Sequence, residues 1–229
     1  METNGGSEVT AIIPALNEEE GIGPTILELQ QVLGDLVVLV IDGNSTDGTV
    51  EIASRMKAGV VRQDGKGKGQ AIAQALNYVD SNTRYVVFID ADFTYPAEKI
   101  PRMIEILEKN PDVGMVNGNR FEQRFTLERA MGHANYVGNR FLAFVQYMVN
   151  GIKLRDPLTG LRIVRWEILR DWKPKSKGFD VEVELNYLVE RKGYRIQEIP
   201  IQYRRRLGEK KLRLIHGFPI LKRIVLNAW

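Results

Sequence analysis

Residues Tyr85–Asp92 read YVVFIDAD. Val86, Val87, Phe88 and Ile89 form an unbroken apolar run, and the β-branched residues among them suit a strand buried on both faces. The run then delivers Asp90 and Asp92 with only Ala91 between them. Burial gives no reason to end a strand on two acids. Two readings account for them. Either they cap a helix that starts near Pro96, or they are hard oxygen ligands for magnesium or manganese, ions that also bind substrate phosphates.

Working outward, the same pattern repeats. Val9–Leu16 reads as a buried strand that runs into Asn17-Glu18-Glu19-Glu20, where Asn17 and Glu20 form a capping-box-like pair. Ile22, Ile26, Leu29 and Leu33 then mark one face of a helix that stops at Gly34. Leu36–Ile41 is a second strand ending on an acid, Asp42, followed by the turn-rich GNSTDGT and a helix over Thr49–Lys57. Gly59–Gln63 is a short third strand, and the glycine-rich Gly65–Gly69 leads into a helix with Ile72, Ala75, Leu76 and Val79 on one side. Pro96–Lys109 is helical and Val113–Val116 is a fifth strand.

Strand and helix alternate, which predicts an α/β layer structure on a largely parallel sheet. Ligands of such sheets sit beyond the carboxyl ends of the strands. Asn17, Asp42, Lys66, Asp90 and Asp92 all fall there.

After Arg120 the alternation lapses. Ala134–Val149 holds Phe141, Leu142, Phe144, Val145, Met148 and Val149, more apolar than a small surface helix needs. Core burial is the default reading, and a face shared with lipid is the other. A mixed-charge loop, Arg155–Arg162, enters Ile163-Val164; a helix over Asp180–Lys192 carries Glu182 and Glu184; Ile196–Tyr203 is a last strand. Tyr203–Arg223 carries eight Lys/Arg against Glu209 alone, and an amphipathic tail, Ile220–Trp229, closes the chain. Such a tail either packs on the sheet or lies in an anionic membrane surface with its cations at the headgroups.

Composition narrows the classes. The 229 residues suit one domain, and the net charge of +3 is too small to imply nucleic acid. Cysteine is absent, which removes disulfides and thiolate metal sites and fits a reducing compartment. No run reaches the roughly 18 apolar residues of a membrane span, and Met1–Ser7 lacks the apolar core of a signal peptide. Gly65–Gly69 lacks the Lys-Ser/Thr ending of a Walker loop and does not follow the first strand as a dinucleotide fingerprint should. It is a lysine-bearing loop near a nucleotide or a plain turn. His133 and His216 have no partner spacing for zinc, and no hydrolase nucleophile motif is present.

Taken in order, IIPALNEEEGI, VIDGNSTDGT, KGKGQA, IDADFTYPAEKIP, NGNRF, DPLTGLR, GFDVEVEL and IPIQYRRRLGEKKL resemble the motifs of family 2 glycosyltransferases of the GT-A fold. The set is most similar to the polyprenyl-phosphate hexose synthases, such as the dolichyl-phosphate mannose synthases, and runs from Val9 to about Leu212.

The resemblance implies a single glycosyltransferase domain over 1–229, with a nucleotide-sugar-binding part at about 9–121 and an acceptor-side part at about 122–229. It implies that Pro14, Asn17, Glu18 and Asp42 hold the base and ribose of the donor, and that Lys66, Gly69 and Ala91 belong to the same donor site. Asp90 and Asp92 would hold Mg2+ or Mn2+ on the diphosphate, with Thr94 as a third metal residue where these synthases often have Gln. Arg120 matches an arginine implicated in binding the acceptor phosphate, and Arg129 is a looser second. Arg206 and Lys211 fit the family's R-x-x-G-x-S-K segment on the donor side if one residue is deleted before Gly208, with Lys210 in place of Ser. Asp92, Arg120 and Arg206 are the expected catalytic residues. The implied reaction is transfer of a hexose, from GDP-mannose in preference to UDP-glucose, onto a polyprenyl or dolichyl phosphate with inversion. The expected place is the cytoplasmic face of a membrane, peripherally bound. A soluble or polysaccharide acceptor is the nearest rival, and a non-catalytic binding module a more distant one.

Overall fold

The computed structural model describes residues 7–121, 134–209 and 217–226. Among them a seven-stranded sheet has the order β3-β2-β1-β4-β6-β5-β7. The strands are β1 (Val9–Ala15), β2 (Val37–Asp42), β3 (Gly59–Arg62), β4 (Tyr85–Phe88), β5 (Val113–Asn119), β6 (Arg162–Arg165) and β7 (Arg195–Pro200). All neighbours are parallel except β6, which runs antiparallel between β4 and β5. The helices are α1 (Glu19–Leu33), α2 (Thr49–Arg55), α3 (Lys68–Ala75), α4 (Ile100–Lys109), α5 (Ala134–Asn150), α6 (Trp166–Leu169), α7 (Val181–Arg191) and α8 (Gly217–Leu226).

The central strand is the one the sequence marks. Every residue of β4 is buried, and its alternation feeds two cores. Val87 and Ile89 face the layer with Ile22, Ile26 and Leu29 of α1 and Met103 and Leu107 of α4. Val86 and Phe88 face Ile72 and Ala75 of α3, Ile168 of α6 and Val181 and Leu185 of α7. This two-faced burial is why the strand reads as continuous apolar sequence rather than alternating. Continuing the alternation past Phe88 turns Asp90 toward the α3/α7 layer.

Four expectations are corrected. Asn17 does not cap α1: Glu18 precedes the helix, no side chain caps it, and Asn17 sits at φ 49°. Its Oδ1 instead accepts the backbone N–H of Thr46 at 2.8 Å. The last strand ends at Pro200, not Tyr203, because the chain peels across the top of the sheet, where the N–H groups of Arg204 and Leu207 bond the carbonyls of Thr94 and Asp92. The α5 helix is not mainly core: Leu142 and Ala143 are buried, but Val137, Phe141, Phe144, Tyr147 and Met148 are exposed. The α8 helix packs not on the sheet but on other helices, setting Ile220 and Ile224 against Leu142 and Val183.

One buried side chain ties the layers together. Arg162 opens β6 opposite Phe88 and is fully buried. Its guanidinium meets Glu182 Oε2 at 2.7 Å, Asn186 Oδ1 at 2.6 Å, and the carbonyls of Thr159 at 2.9 Å and Pro157 at 2.6 Å. Removing one partner of a buried ion pair leaves an uncompensated charge, so Arg162→Ala should destabilise the fold by about 3–5 kcal/mol. Urea unfolding read by circular dichroism checks this; an unchanged midpoint would refute it.

Candidate active site

Two loops beyond the strand ends are stitched together by side chains. Asp42 is buried at the end of β2 and accepts the backbone N–H groups of Asn44 and Ser45. The Asn17 N–H reaches Ser45 Oγ at 2.9 Å, and the Glu18 N–H reaches Thr49 Oγ1 at 2.8 Å. Asp47 and Glu19 add reciprocal bonds, from the Glu19 N–H to Asp47 and from the Gly48 N–H to Glu19. Polar turn residues therefore fix the segment after β1 against the segment after β2. Pro14, half-buried on β1, lies in register with Ile41 of β2.

The Asp-Ala-Asp backbone is seated against α1. A Cβ on Gly21 would stand 2.6 Å from the Ala91 carbonyl oxygen and 2.7 Å from Asp92 Cα, so only glycine fits there. Thr25 Oγ1 accepts the Phe93 N–H at 3.1 Å. Phe93 turns the chain at φ 62° and brings Thr94 beside Asp92.

Both acids have cationic partners. Asp90 Oδ1 lies 2.6 Å from Lys68 Nζ, which also stands 2.6 Å from Glu182 Oε1. Asp92 Oδ1 accepts the Thr94 hydroxyl at 2.6 Å, and Oδ2 pairs with Arg206, which bridges to Glu18. Burial by itself would push the Asp90 carboxyl up, but Lys68 outweighs it and holds the group below the usual carboxylate range. Asp92 goes the other way, raised by burial and by the neighbouring charge of Asp90. Burial would lower the Lys68 ammonium, yet Asp90 and Glu182 hold it well above its ordinary value.

On the other side of Asp90 stands Arg120, at the end of β5. Its Nε and one terminal nitrogen both meet Asp156 at 2.7 Å, while Asn139 donates to the same carboxylate at 2.7 Å. The guanidinium carbon lies 5.4 Å from the centre of the Tyr203 ring. Tyr203 meets Tyr95 edge-on at 5.2 Å, and the Tyr95 hydroxyl accepts the Gly160 N–H at 2.6 Å.

The fold thus gathers Asn17, Glu18, Asp42, Asp90, Asp92, Thr94, Arg120 and Arg206 at one end of the sheet. Arg129 and Lys211 lie outside the described residues. Lys66 is exposed, with its backbone N–H on Gln70; the lysine that turns into the site is Lys68. Gly69 presses on the neighbouring loop, where a Cβ would stand 2.1 Å from the Ser176 carbonyl oxygen. Sequence reasoning missed Lys68, Glu182, Asp156, Tyr95 and Gly160, although all five lie in the short motifs that carry the family resemblance.

The donor set fits a hard divalent cation that shares its shell with a phosphate. No group of three or more His, Cys, Asp or Glu suited to a metal exists among the described residues. The protein would therefore contribute Asp90 and Asp92 and leave the remaining positions to diphosphate oxygens and water, which is how magnesium usually binds. Gly160 packs closely beside this carboxylate: a Cβ there would stand 2.1 Å from Asp90 Oδ2.

A family model described as Glycosyl transferase family 2 matches residues 10–172. Among curated relatives, a dolichyl-phosphate hexose transferase of Haloferax volcanii is 33% identical over 208 residues, covering 90% of this chain and 86% of that protein. A dolichol-phosphate mannosyltransferase of Pyrococcus furiosus is 26% identical, and its match covers 97% of this chain but 64% of its own length. Among solved structures, glucosyl-3-phosphoglycerate synthase from Mycobacterium tuberculosis, in complex with Mn2+, UDP-glucose and phosphoglyceric acid, superposes with a TM-score of 0.75. That match is 21% identical and covers 97% of this chain and 80% of the other, which establishes a shared GT-A fold.

Gly160→Ala should drive a methyl group into Asp90 Oδ2 and the Tyr95 ring. Groups just outside a metal's ligands typically govern its affinity by 10- to 100-fold, so Mn2+ binding in the presence of a nucleoside diphosphate should weaken by about tenfold or more. Isothermal titration with MnCl2 and UDP or GDP checks it.

Proposed function

The chain belongs to glycosyl transferase family 2, and from that membership we propose that it moves a hexose from a nucleotide sugar to the phosphate of a polyprenyl lipid, inverting the sugar's anomeric centre. The observation that carries this reading is the convergence of Asp90, Asp92, Arg206 and Arg120 beyond the end of β4. Two acids for a cation beside two arginines match the meeting of a diphosphate with a second phosphate.

In this reading Pro14, Asn17, Glu18 and Asp42 hold the base and ribose, and the stitched loops keep them in place. Ala91 falls between the two acids on the donor side, and Lys211 adds positive charge there. Asp90 and Asp92, with Thr94 beside them, hold Mg2+ or Mn2+. When bound, that cation neutralises the departing diphosphate. Arg206 supplies further positive charge to the same leaving group. Arg120, held in one plane by Asp156, receives the acceptor phosphate together with Arg129. A lipid monophosphate has a second pKa near about 6 and is largely a dianion at neutral pH. Its oxygen therefore attacks the anomeric carbon without a protein base, as the bond to the diphosphate breaks. Catalysis is positioning and electrostatics. GDP-mannose is the favoured donor over UDP-glucose, with residues of about 9–121 serving the donor and about 122–229 the acceptor.

The lipid acceptor is supported by the relatives' names and by two helix faces. No helix among the described residues is long and apolar enough to cross a membrane. Yet α5 exposes Phe141, Phe144 and Met148, α8 exposes Phe218, Val225 and Leu226, and Arg140 and Lys222 are exposed on the same two helices. An apolar face flanked by cations suits the interface of an anionic membrane. Peripheral attachment at the cytoplasmic face follows from this reading.

The direct test offers labelled GDP-mannose and UDP-glucose with a polyprenyl phosphate and scores lipid-extractable label. Excess chelator should abolish transfer and Mg2+ or Mn2+ restore it, while Asp92→Asn should lower turnover by about 100-fold or more. Undiminished transfer in chelator, or label only in water-soluble products, would sink the proposal. For the membrane, the protein should sediment with phosphatidylglycerol vesicles at low salt and leave them as salt rises. Replacing Phe141, Phe144 and Met148 with Ser should weaken that binding without altering nucleotide affinity; equal sedimentation would remove α5 from the interface.

A further inference from the structure

Lys68 is the basic residue paired with Asp90, and the reading above gives it no task. It opens α3 straight after Gly67, and only 10% of its side chain is exposed. Its backbone is fixed: the Gly69 N–H bonds the Lys177 carbonyl at 3.0 Å, and a Cβ on Gly67 would stand 2.4 Å from that same oxygen. Its side chain is a flexible four-carbon stem with a rotatable ammonium, so the charge can be re-aimed while the loop stays still.

The ammonium has two carboxylate partners of unequal standing. Glu182 is buried and keeps a second cation, Arg162, on its other oxygen. Asp90 is a third exposed and is one of the two acids fitted to a divalent ion. An ammonium 2.6 Å from Asp90 Oδ1 stands where positive charge must also collect when the ion binds. The two cations repel at that range, so an ion that takes this same oxygen must displace the ammonium. Lys68 can leave Asp90 and still hold Glu182, so the fold contains a place for the displaced charge. A second feature points the same way: the buried Nε of Arg206 has no hydrogen-bond partner among the described residues, so Arg206 retains donor capacity for an anion.

We propose that Lys68 is an exchangeable counterion: it neutralises Asp90 in the empty site, yields that carboxylate to the divalent cation, pivots on Glu182 and turns its ammonium to the donor diphosphate. Lys68 is thus a positioning residue that makes the binding of metal and nucleotide interdependent. Metal alone must evict an ammonium that has no new partner. Nucleotide alone finds that ammonium occupied. Together each removes the other's obstacle, and the coupling is reciprocal. The inference rests on the assignment of Asp90 and Asp92 as cation ligands.

The test measures Mn2+ affinity by the electron paramagnetic resonance of free Mn2+, with and without UDP or GDP, for the unaltered chain, Lys68→Met and Lys68→Arg. In the unaltered chain, nucleotide should tighten Mn2+ binding by more than the affinity of Mn2+ for the free nucleotide explains. In Lys68→Met, Mn2+ alone should bind about tenfold more tightly and the enhancement by nucleotide should shrink by a similar factor. Lys68→Arg, which keeps the charge, should retain the coupled pattern. Thermal melts report folding, and Lys68→Gln, still able to donate to a carboxylate, replaces the Met variant if that chain unfolds. Equal or weaker binding of Mn2+ alone in the neutral variants overturns the exchange while leaving the cation site standing. Absence of Mn2+ binding with either nucleotide, in the unaltered chain as well, overturns the site assignment and the exchange with it.

Discussion

Four carboxylates, those of Glu18, Asp90, Asp92 and Glu182, meet at the top of a strand buried on both faces, and their mutual repulsion is the constraint that the surrounding structure answers. Lys68 lies between Asp90 and Glu182, Arg206 between Asp92 and Glu18, and Arg162 closes the row on Glu182. Lys68 and Arg206 are each shared, so losing either exposes two acids at once. Buried charges are tolerated only when paired and hydrogen-bonded, and Arg162 meets that condition with contacts to two side chains and several carbonyls. The pairing leaves the two ligand acids unequal. Asp90 is held easily ionised by Lys68, whereas Asp92, more buried and beside Asp90, resists ionisation.

The sheet topology makes this row of charges possible. The antiparallel β6 inserts between β4 and β5, so its first residue, Arg162, stands opposite Phe88 and the loop before it reaches Asp90. That loop contributes Asp156 to Arg120 and Gly160 to the space beside Asp90. A purely parallel order with β5 beside β4 would leave both jobs undone. Residues far apart in sequence therefore share one wall.

Much of this was legible in the sequence because strand burial and acid placement leave local marks. The run Val86–Ile89 suits a doubly covered strand, and each of the acids Asp42, Asp90 and Asp92 follows such a run. What could not be read was pairing at long range. Lys66 and Lys68 are chemically alike and flank the same glycine; only the packing of the loop against Ser176 and Lys177 turns Lys68 inward and leaves Lys66 in solvent. Glu182 and Glu184 sit on one helix two residues apart, yet Glu182 serves Lys68 and Arg162 while Glu184 accepts the Lys175 and Ser176 N–H groups. Asn17 was misread as a cap because its local pattern is right; the turn after β2 competed for its oxygen and won. The apolar content of α5 was also plain, but whether it faced in or out depended on what α8 covered, and α8 covers little of it.

That last helix ties the outer surface to the charged row. Its inward side sets Ile220 and Ile224 into a small core with Leu142 and Val183, and Arg223 reaches Asp180 at 3.3 Å and Glu184 at 4.0 Å. Glu184 fixes the segment at 175–176, and the Ser176 and Lys177 carbonyls fix the glycines on either side of Lys68. The opposite side of α8 leaves Phe218, Val225 and Leu226 in solvent. Among the described residues this core has four buried members with Val145, Leu158, Phe179 and Leu221 packed against them, and the ion pairs of Arg223 beside it are partly buried and so less screened than surface pairs. The exposed apolar face is therefore linked to the paired acids by charge as well as by packing, through the same α7 helix that supplies Glu182.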